Sequence, residues 1–209
     1  MKKASSLKED LKPIDWVTFG VELTAGVDEA GRGCLAGPVY AAAVIVRPDY
    51  SLKGLTDSKL MTPEKRFELA VRIKEEAVCW AIGIGTVEEI EEINILHASL
   101  LAMKRAVENL SLKPELLLID GNQTIKGHWV QKTLIKGDLR CLPISAASVL
   151  AKTQRDIHMM ELDEKFPGYK FATHKGYGTL QHRQAIEKLG PSIVHRRLFS
   201  GVREFLDFK

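Results

Sequence analysis

Two adjacent carboxylates, Asp28 and Glu29, follow a short apolar run in LTAGVDEAGRGCLAGP (23–38), and a turn comes next in which Arg32 stands between Gly31 and Gly33. Carboxylates are poor strand residues and glycine weakens regular structure, so local structure gains little from this order. Asp120 and Asp138 close two further apolar runs, PELLLID (114–120) and KTLIKGD (132–138), each with a glycine beside it. In open α/β sheets, sites form in the crevice outside the strand ends. Three such ends laid side by side would gather three aspartates and Glu29 into one crevice. Carboxylates so packed repel one another and take up protons unless cations separate them, and the hard ions Mg²⁺ and Mn²⁺ prefer oxygen ligands. Singly, each aspartate reads equally as a turn former, and DGN (120–122) has the form of an ordinary turn. Spacing alone leaves both readings open. Consecutive strand residues face opposite ways, so Asp28 and Glu29 are expected to converge only through a strand break, which the glycines after them permit.

The elements that must position these residues alternate along the chain. Residues 22–28 and 39–46 predict strands, the second (VYAAAVIV) apolar enough to be buried on both faces. TPEKRFELAVRIKEEA (62–77) predicts a helix capped by Thr62, with Pro63 at its first position. Residues 78–85 predict a third strand, Thr86 with Glu89 a capping box, and 94–110 an amphipathic helix. Residues 114–120 predict a fourth strand and 132–138 a fifth. A long helix is expected from Ser145 to Phe166, then a loop at 173–179 and a helix from Leu180 that stops at Gly190–Pro191. The class is α/β with a mostly helical C-terminal part.

Composition narrows the setting. A chain of 209 residues, 45% hydrophobic and 27% charged, is expected to form one soluble globular domain. Its apolar runs are too short to span a bilayer, and the charged N-terminus lacks the apolar core of a signal peptide. Three widely spaced cysteines, Cys34, Cys79 and Cys141, imply reduced thiols and a cytoplasmic location. Residues 1–120 carry 15 Lys+Arg against 19 Asp+Glu, whereas residues 121–209 carry 15 against 8. A basic second half suits a polyanion such as nucleic acid, although charge alone fits a solvated lysine-rich surface better. GVDEAGRG (26–33) lacks the lysine and hydroxyl of a phosphate-binding loop. The six histidines show no zinc-ligand spacing.

Eight blocks in order, AGVDEAGRGCLAGPV (25–39), DSKL (57–60), INILHASLLAM (93–103), LLIDGN (117–122), KGD (136–138), ISAASVLAKTQRD (144–156), HKGYGT (174–179) and HRRLF (195–199), resemble bacterial ribonuclease HII. The resemblance implies a ribonuclease H-like fold with a central mixed five-stranded sheet (core about 22–166) and a C-terminal helical region (about 167–209). It implies an endonuclease that cuts the RNA strand of RNA–DNA hybrids and cuts at ribonucleotides embedded in duplex DNA, leaving 3′-hydroxyl and 5′-phosphate ends. Asp28, Glu29, Asp120 and Asp138 match the family's four acids, which with substrate hold two cations, Mn²⁺ or Mg²⁺. Asp156 is expected to be structural. Gly31, Arg32 and Gly33 match the turn that reads the ribonucleotide, Tyr177 the ring that packs on the sugar at the RNA-to-DNA junction, and Lys59 a contact to the backbone near the cut. Departures are Cys34 where proline is frequent, Thr153–Gln154 where Val-Thr is usual, and Leu198 where serine follows the paired arginines, which leaves the roles of Arg196 and Arg197 open. About 22 residues precede the first expected strand, too few for the extra N-terminal domain of the ribonuclease HIII branch. A monomer is expected, with the replication clamp as a candidate partner of the C-terminal tail.

Overall fold

The computed structural model describes residues 12–52 and 61–206. Lys59 and its DSKL block lie outside the described residues. Five strands, β1 (Thr24–Ala30), β2 (Val39–Ile45), β3 (Cys79–Gly85), β4 (Leu116–Asp120) and β5 (Val130–Leu134), form one sheet in the order β3-β2-β1-β4-β5. β1 pairs antiparallel with β2 and parallel with β4, and β4 pairs parallel with β5, so the sheet is mixed as expected.

Both faces are covered. On one, Ala42, Val44, Leu116 and Leu118 pack against α1 (Pro63–Glu76) and α3 (Leu142–Lys165). On the other, Ala41, Ala43, Leu117 and Ile119 pack against α2 (Val87–Glu108). This two-sided cover explains why every residue of β2 is buried and apolar. α3 lies so close to β1 that a Cβ on Gly26 would come within 2.0 Å of the Pro143 carbonyl carbon. Glycine at 26 therefore sets the distance between the strand bearing Asp28 and the helix behind it.

The helix boundaries follow local chemistry. Thr62 Oγ1 accepts from the Lys65 N–H at 3.3 Å, and Pro63 opens α1. The Thr86–Glu89 capping box is formed on both sides. α2 runs through where two helices were expected, but Asn94 interrupts it at φ 66°, its Oδ1 accepting from the Leu96 and His97 amides. Asn94 thus caps the second half much as an independent N-cap would. After β5 the chain forms a 3₁₀ turn (Gly137–Leu139); after α3 come a single helical turn, α4 (Phe171–His174), and α5 (Leu180–Leu189). Among the described residues no helix is long and apolar enough to cross a membrane.

The two strand ends expected at Asp28 and Asp138 are displaced. β1 does not end at Asp28: its ladder with β2 continues to Ala30↔Tyr40, while its ladder with β4 stops at Val27↔Ile119. β5 stops at Leu134, so Asp138 ends no strand and sits in the 3₁₀ turn beyond it.

Candidate active site

The acids collect where β1 outruns β4. With Val27 opposite Ile119, the next residues on each strand are Asp28 and Asp120. No strand break brings Asp28 and Glu29 together. Asp28 faces α3 and is buried, bonded to Ser148, while its Oδ1 accepts from the Glu29 amide at 2.7 Å. Glu29 faces α2, where it borders a shallow cleft of about 30 Å³ with Arg32, Ser99, Leu100, Asp120 and Asn122. Asp120, half-buried at the strand end, influences both. The convergence expected of a broken strand is achieved instead by a third acid from the neighbouring strand.

Asp138 is brought in by Asp120 itself. Asp120 Oδ1 accepts from the Gly137 amide at 2.7 Å and the Asp138 amide at 3.3 Å. Ser145 Oγ, from the first turn of α3, donates to the Asp138 carbonyl at 2.5 Å. Ser145 and Ser148 were not singled out as site residues in the sequence, although two serines three apart in an alanine-rich helix are a visible sign of a polar stripe. Asp156, by contrast, pairs with Arg66 Nη2 at 3.1 Å and Lys152 Nζ at 2.5 Å on α3.

The electrostatics are those of crowded anions. Burial holds the Asp28 carboxyl well above its usual pKa, and the charges of Glu29 and Asp120 push it further, against the Ser148 bond. Burial also raises Glu29, opposed by the Arg32 guanidinium, whose Nη1 lies 3.2 Å from Oε1. The wider hollows of the surface, about 800 Å³ and about 540 Å³, lie away from the acids between α2 and the segment joining β4 to β5.

The Gly31–Gly33 turn and Tyr177 belong to one assembly. Cys34 and Tyr177 form an antiparallel bridge, the Leu35 amide donates to the Gly176 carbonyl at 2.8 Å, and Ala36 bridges His195. Arg32 and Gly33 are exposed, and Tyr177 is 41% exposed, with Lys152 Nζ 5.5 Å from its ring centroid. Cys34 is fully buried in this seam, where its Sγ packs near the Lys175 carbonyl.

Two buried histidines, His182 and His195, brace the Tyr177 loop. The Ser192 amide donates to His195 Nδ1 at 2.9 Å, so the neutral His195 ring carries its proton on Nε2. That proton faces His182 Nε2 at 3.1 Å, which leaves His182 Nδ1–H to donate to the Tyr177 carbonyl at 2.9 Å. Burial pushes both pKa values down to about 4, with the neighbouring rings adding to the shift. Unfolded rings take protons from pH 6.5 downward, whereas these refuse them until about pH 4. Their contribution is therefore complete above pH 6.5 and is lost towards pH 4, at roughly 1.4 kcal/mol per pH unit for each ring. The raised carboxyls of Asp28 and Glu29 pull the other way as pH falls, so the pair's share is read against His182→Asn: the parent midpoint should drop more than the variant's between pH 7 and pH 5, and equal drops would contradict the neutral pair.

A family model described as ribonuclease HII matches residues 25–202. The chain belongs to the ribonuclease HII family. Ribonuclease HII of Myxococcus xanthus is 54% identical over 183 residues, 87% of this chain and 62% of that protein. Ribonuclease HII of Nitrosospira multiformis is 52% identical over 181 residues, 87% of this chain and 91% of that one. Among solved structures, ribonuclease H2 from Pyrococcus horikoshii matches with a TM-score of 0.73 at 24% identity, covering 87% of this chain and 96% of that one. Ribonuclease HII of Archaeoglobus fulgidus, solved as a complex with PCNA, matches at 0.68 and 25% identity, covering 83% and 92%. Bst ribonuclease HIII in complex with Mn²⁺ matches at 0.63 and 18%, covering 87% and 68%, and shares the fold. Ribonuclease HII membership makes this chain a metal-dependent ribonuclease H, a hydrolase. The four candidate carboxylates fit a divalent cation in kind: they offer oxygen ligands, and a cation would relieve the charges of Glu29 and Asp120 that add to the effect of burial on Asp28. Among the described residues, no three His, Cys, Asp or Glu side chains are already gathered closely enough to hold an ion.

Proposed function

We propose that this ribonuclease is an endonuclease that hydrolyses the RNA strand of RNA–DNA hybrids and cuts at single ribonucleotides in duplex DNA, leaving 3′-hydroxyl and 5′-phosphate ends. The observation that carries the reading is the junction of Asp28, Glu29 and Asp120 on adjacent strands, next to a glycine-flanked arginine turn bridged to Tyr177. Asp28, Glu29, Asp120 and Asp138 would hold two divalent cations, Mg²⁺ or Mn²⁺. When bound, these supply charge neutralisation at the scissile phosphate and activation of the attacking water.

The chain's own groups do the rest. Asp120 Oδ1 accepts from the Gly137 and Asp138 amides, which fixes the Asp120 carboxylate against the 137–138 turn at the end of β4. Ser148 orients Asp28 from the α3 side. Arg32 neutralises Glu29 in the free protein and is placed to exchange that partner for a phosphate. Exposed Arg32 and Gly33 offer backbone amides to a 2′-hydroxyl, the group that separates RNA from DNA. The Tyr177 ring offers a flat face to the junction sugar. A backbone contact for Lys59 belongs to the same reading.

The reading takes residues 1–209 as one catalytic domain, supported by the bonds that tie the C-terminal region to the Gly31 turn. A monomer acting in the cytoplasm, with nucleic acid as its partner, completes it. A sliding clamp is a further candidate partner, because the Archaeoglobus relative was solved with PCNA.

The test is cleavage of end-labelled duplex DNA carrying one ribonucleotide, beside an all-DNA duplex and a long hybrid, with Mg²⁺, Mn²⁺ or chelator. A cut on the 5′ side of the ribonucleotide, abolished by chelator, is the expected result. Cleavage of the all-DNA duplex would favour a general nuclease of the same fold. Cutting of the long hybrid alone would remove the junction role of Gly31–Gly33 and Tyr177.

A further inference from the structure

Two fully buried arginines, from distant parts of the chain, stand behind the glycine–arginine–glycine turn. Arg196 donates through Nε to the Gly37 carbonyl at 3.0 Å, through Nη1 to Arg32 at 2.8 Å and through Nη2 to Gly31 at 2.7 Å. Arg155, on α3, donates to the carbonyls of Pro38 at 3.1 Å, Lys175 at 2.8 Å and Ala36 at 3.1 Å. Both are 0% exposed, and among the described residues neither lies in a salt bridge with a carboxylate. Burying a charge without a counter-ion is costly. What the two guanidiniums supply in return is six hydrogen bonds to main-chain carbonyls of two loops.

What the six bonds share is their destination. They end on the carbonyls of residues 31–38 and of Lys175, the two segments that carry Arg32 and Tyr177. A peptide unit is planar and trans, so its carbonyl and the following N–H point in opposite directions. Pulling the Gly31 carbonyl towards Arg196 turns the Arg32 amide away from it, and pulling the Arg32 carbonyl does the same to the Gly33 amide. Neither amide donates to an acceptor among the described residues. Gly31 is held at φ +100°, and a Cβ there would lie 2.1 Å from Arg155 Nε, so the turn rests directly on the second guanidinium.

We propose that Arg196 and Arg155 are positioning residues for substrate recognition. They aim the Arg32 and Gly33 amides outward as a two-donor site for phosphodiester and 2′-hydroxyl oxygens, and place two uncompensated positive charges beneath it. This rests on the function proposed above. It adds a reason for the paired arginine of HRRLF: Arg196 is the buried half, whereas Arg197 is exposed and its amide donates to Glu91.

Arg196→Lys tests it, because an ammonium cannot span two carbonyls as a planar fork does. The expected result is a loss of roughly tenfold to a hundredfold in kcat/KM on the single-ribonucleotide duplex. Duplex binding, followed by fluorescence anisotropy in chelator, should weaken in parallel. Mn²⁺ binding by calorimetry should stay near the parent value, while the thermal midpoint falls because buried carbonyls lose a donor. A folded Lys variant with the parent's kcat/KM and duplex affinity would overturn the proposal. Amide hydrogen exchange in the parent protein is independent of how any variant folds. The Arg32 and Gly33 amides should exchange fast in the free protein and slowly once duplex is bound; protection of both in the free protein would also overturn it. A parent protein that cuts no substrate would reject the proposed function, while exchange and binding would still decide the role of the arginines.

Discussion

Replacing Asp28 by asparagine is expected to abolish cleavage, by roughly 10³-fold or more in kcat, while leaving the fold as stable as the parent or more so. The two effects have one cause. Asp28 is buried beside Glu29 and Asp120, and its raised pKa means that keeping it ionised at neutral pH costs the folded state free energy. Asparagine keeps the shape and the capacity to meet Ser148 and the Glu29 amide, but removes the charge. Without divalent ions the variant should therefore melt at or above the parent midpoint, a gain of about 2–4 °C for each kcal/mol recovered in a protein of this size. Mn²⁺ should raise the parent midpoint and leave the variant unmoved. Thermal scans of both proteins with and without Mn²⁺, beside duplex binding in chelator, check this. A variant that melts well below the parent would show that the Asp28 charge supports the fold rather than the chemistry.

The largest loss of stability is expected from Gly26→Ala. The added methyl would fall 2.0 Å from the Pro143 carbonyl carbon and 2.3 Å from the Ile144 nitrogen. Those atoms are backbone at the first turn of α3 and cannot rotate aside as a side chain could. The helix must move off β1, at a cost of about 3 kcal/mol or more, at the upper end of overpacking effects. The displaced helix carries Ser145 and Ser148, which hold the Asp138 turn and Asp28, so activity should fall along with the thermal midpoint. Chemical denaturation and cleavage measured on the same preparation check it. A variant within 1 °C of the parent would mean that the helix and strand can part without strain.

The regular elements were legible because their signals are local. VYAAAVIV can be buried on both faces only in the middle of a sheet, and β2 is there. Thr62–Pro63 and the Thr86–Glu89 box begin helices by bonds three residues long. The misplaced strand ends also have physical reasons. The run TLI before KGD suggests an apolar strand ending, yet Ile135 is 67% exposed and β5 has already stopped at Leu134. β1 continues past Asp28 because β2 still pairs with it after β4 has ended, and one strand's sequence does not report when each of its neighbours stops.

The sequence by itself determined the family, the mixed α/β architecture, and which acids, glycines and tyrosine to examine, because residue types in an ordered set of short blocks carry that information. Only the tertiary structure decided how they meet. Asp120 grips the turn bearing Asp138 from 17 and 18 positions away, and Arg196 reaches the Gly31 and Arg32 carbonyls from 165 and 164 positions away. A hydrogen bond to a backbone carbonyl asks nothing of the side chain that carries it, so the accepting residue leaves no mark in the sequence, and the buried arginine that donates reads there like any exposed one.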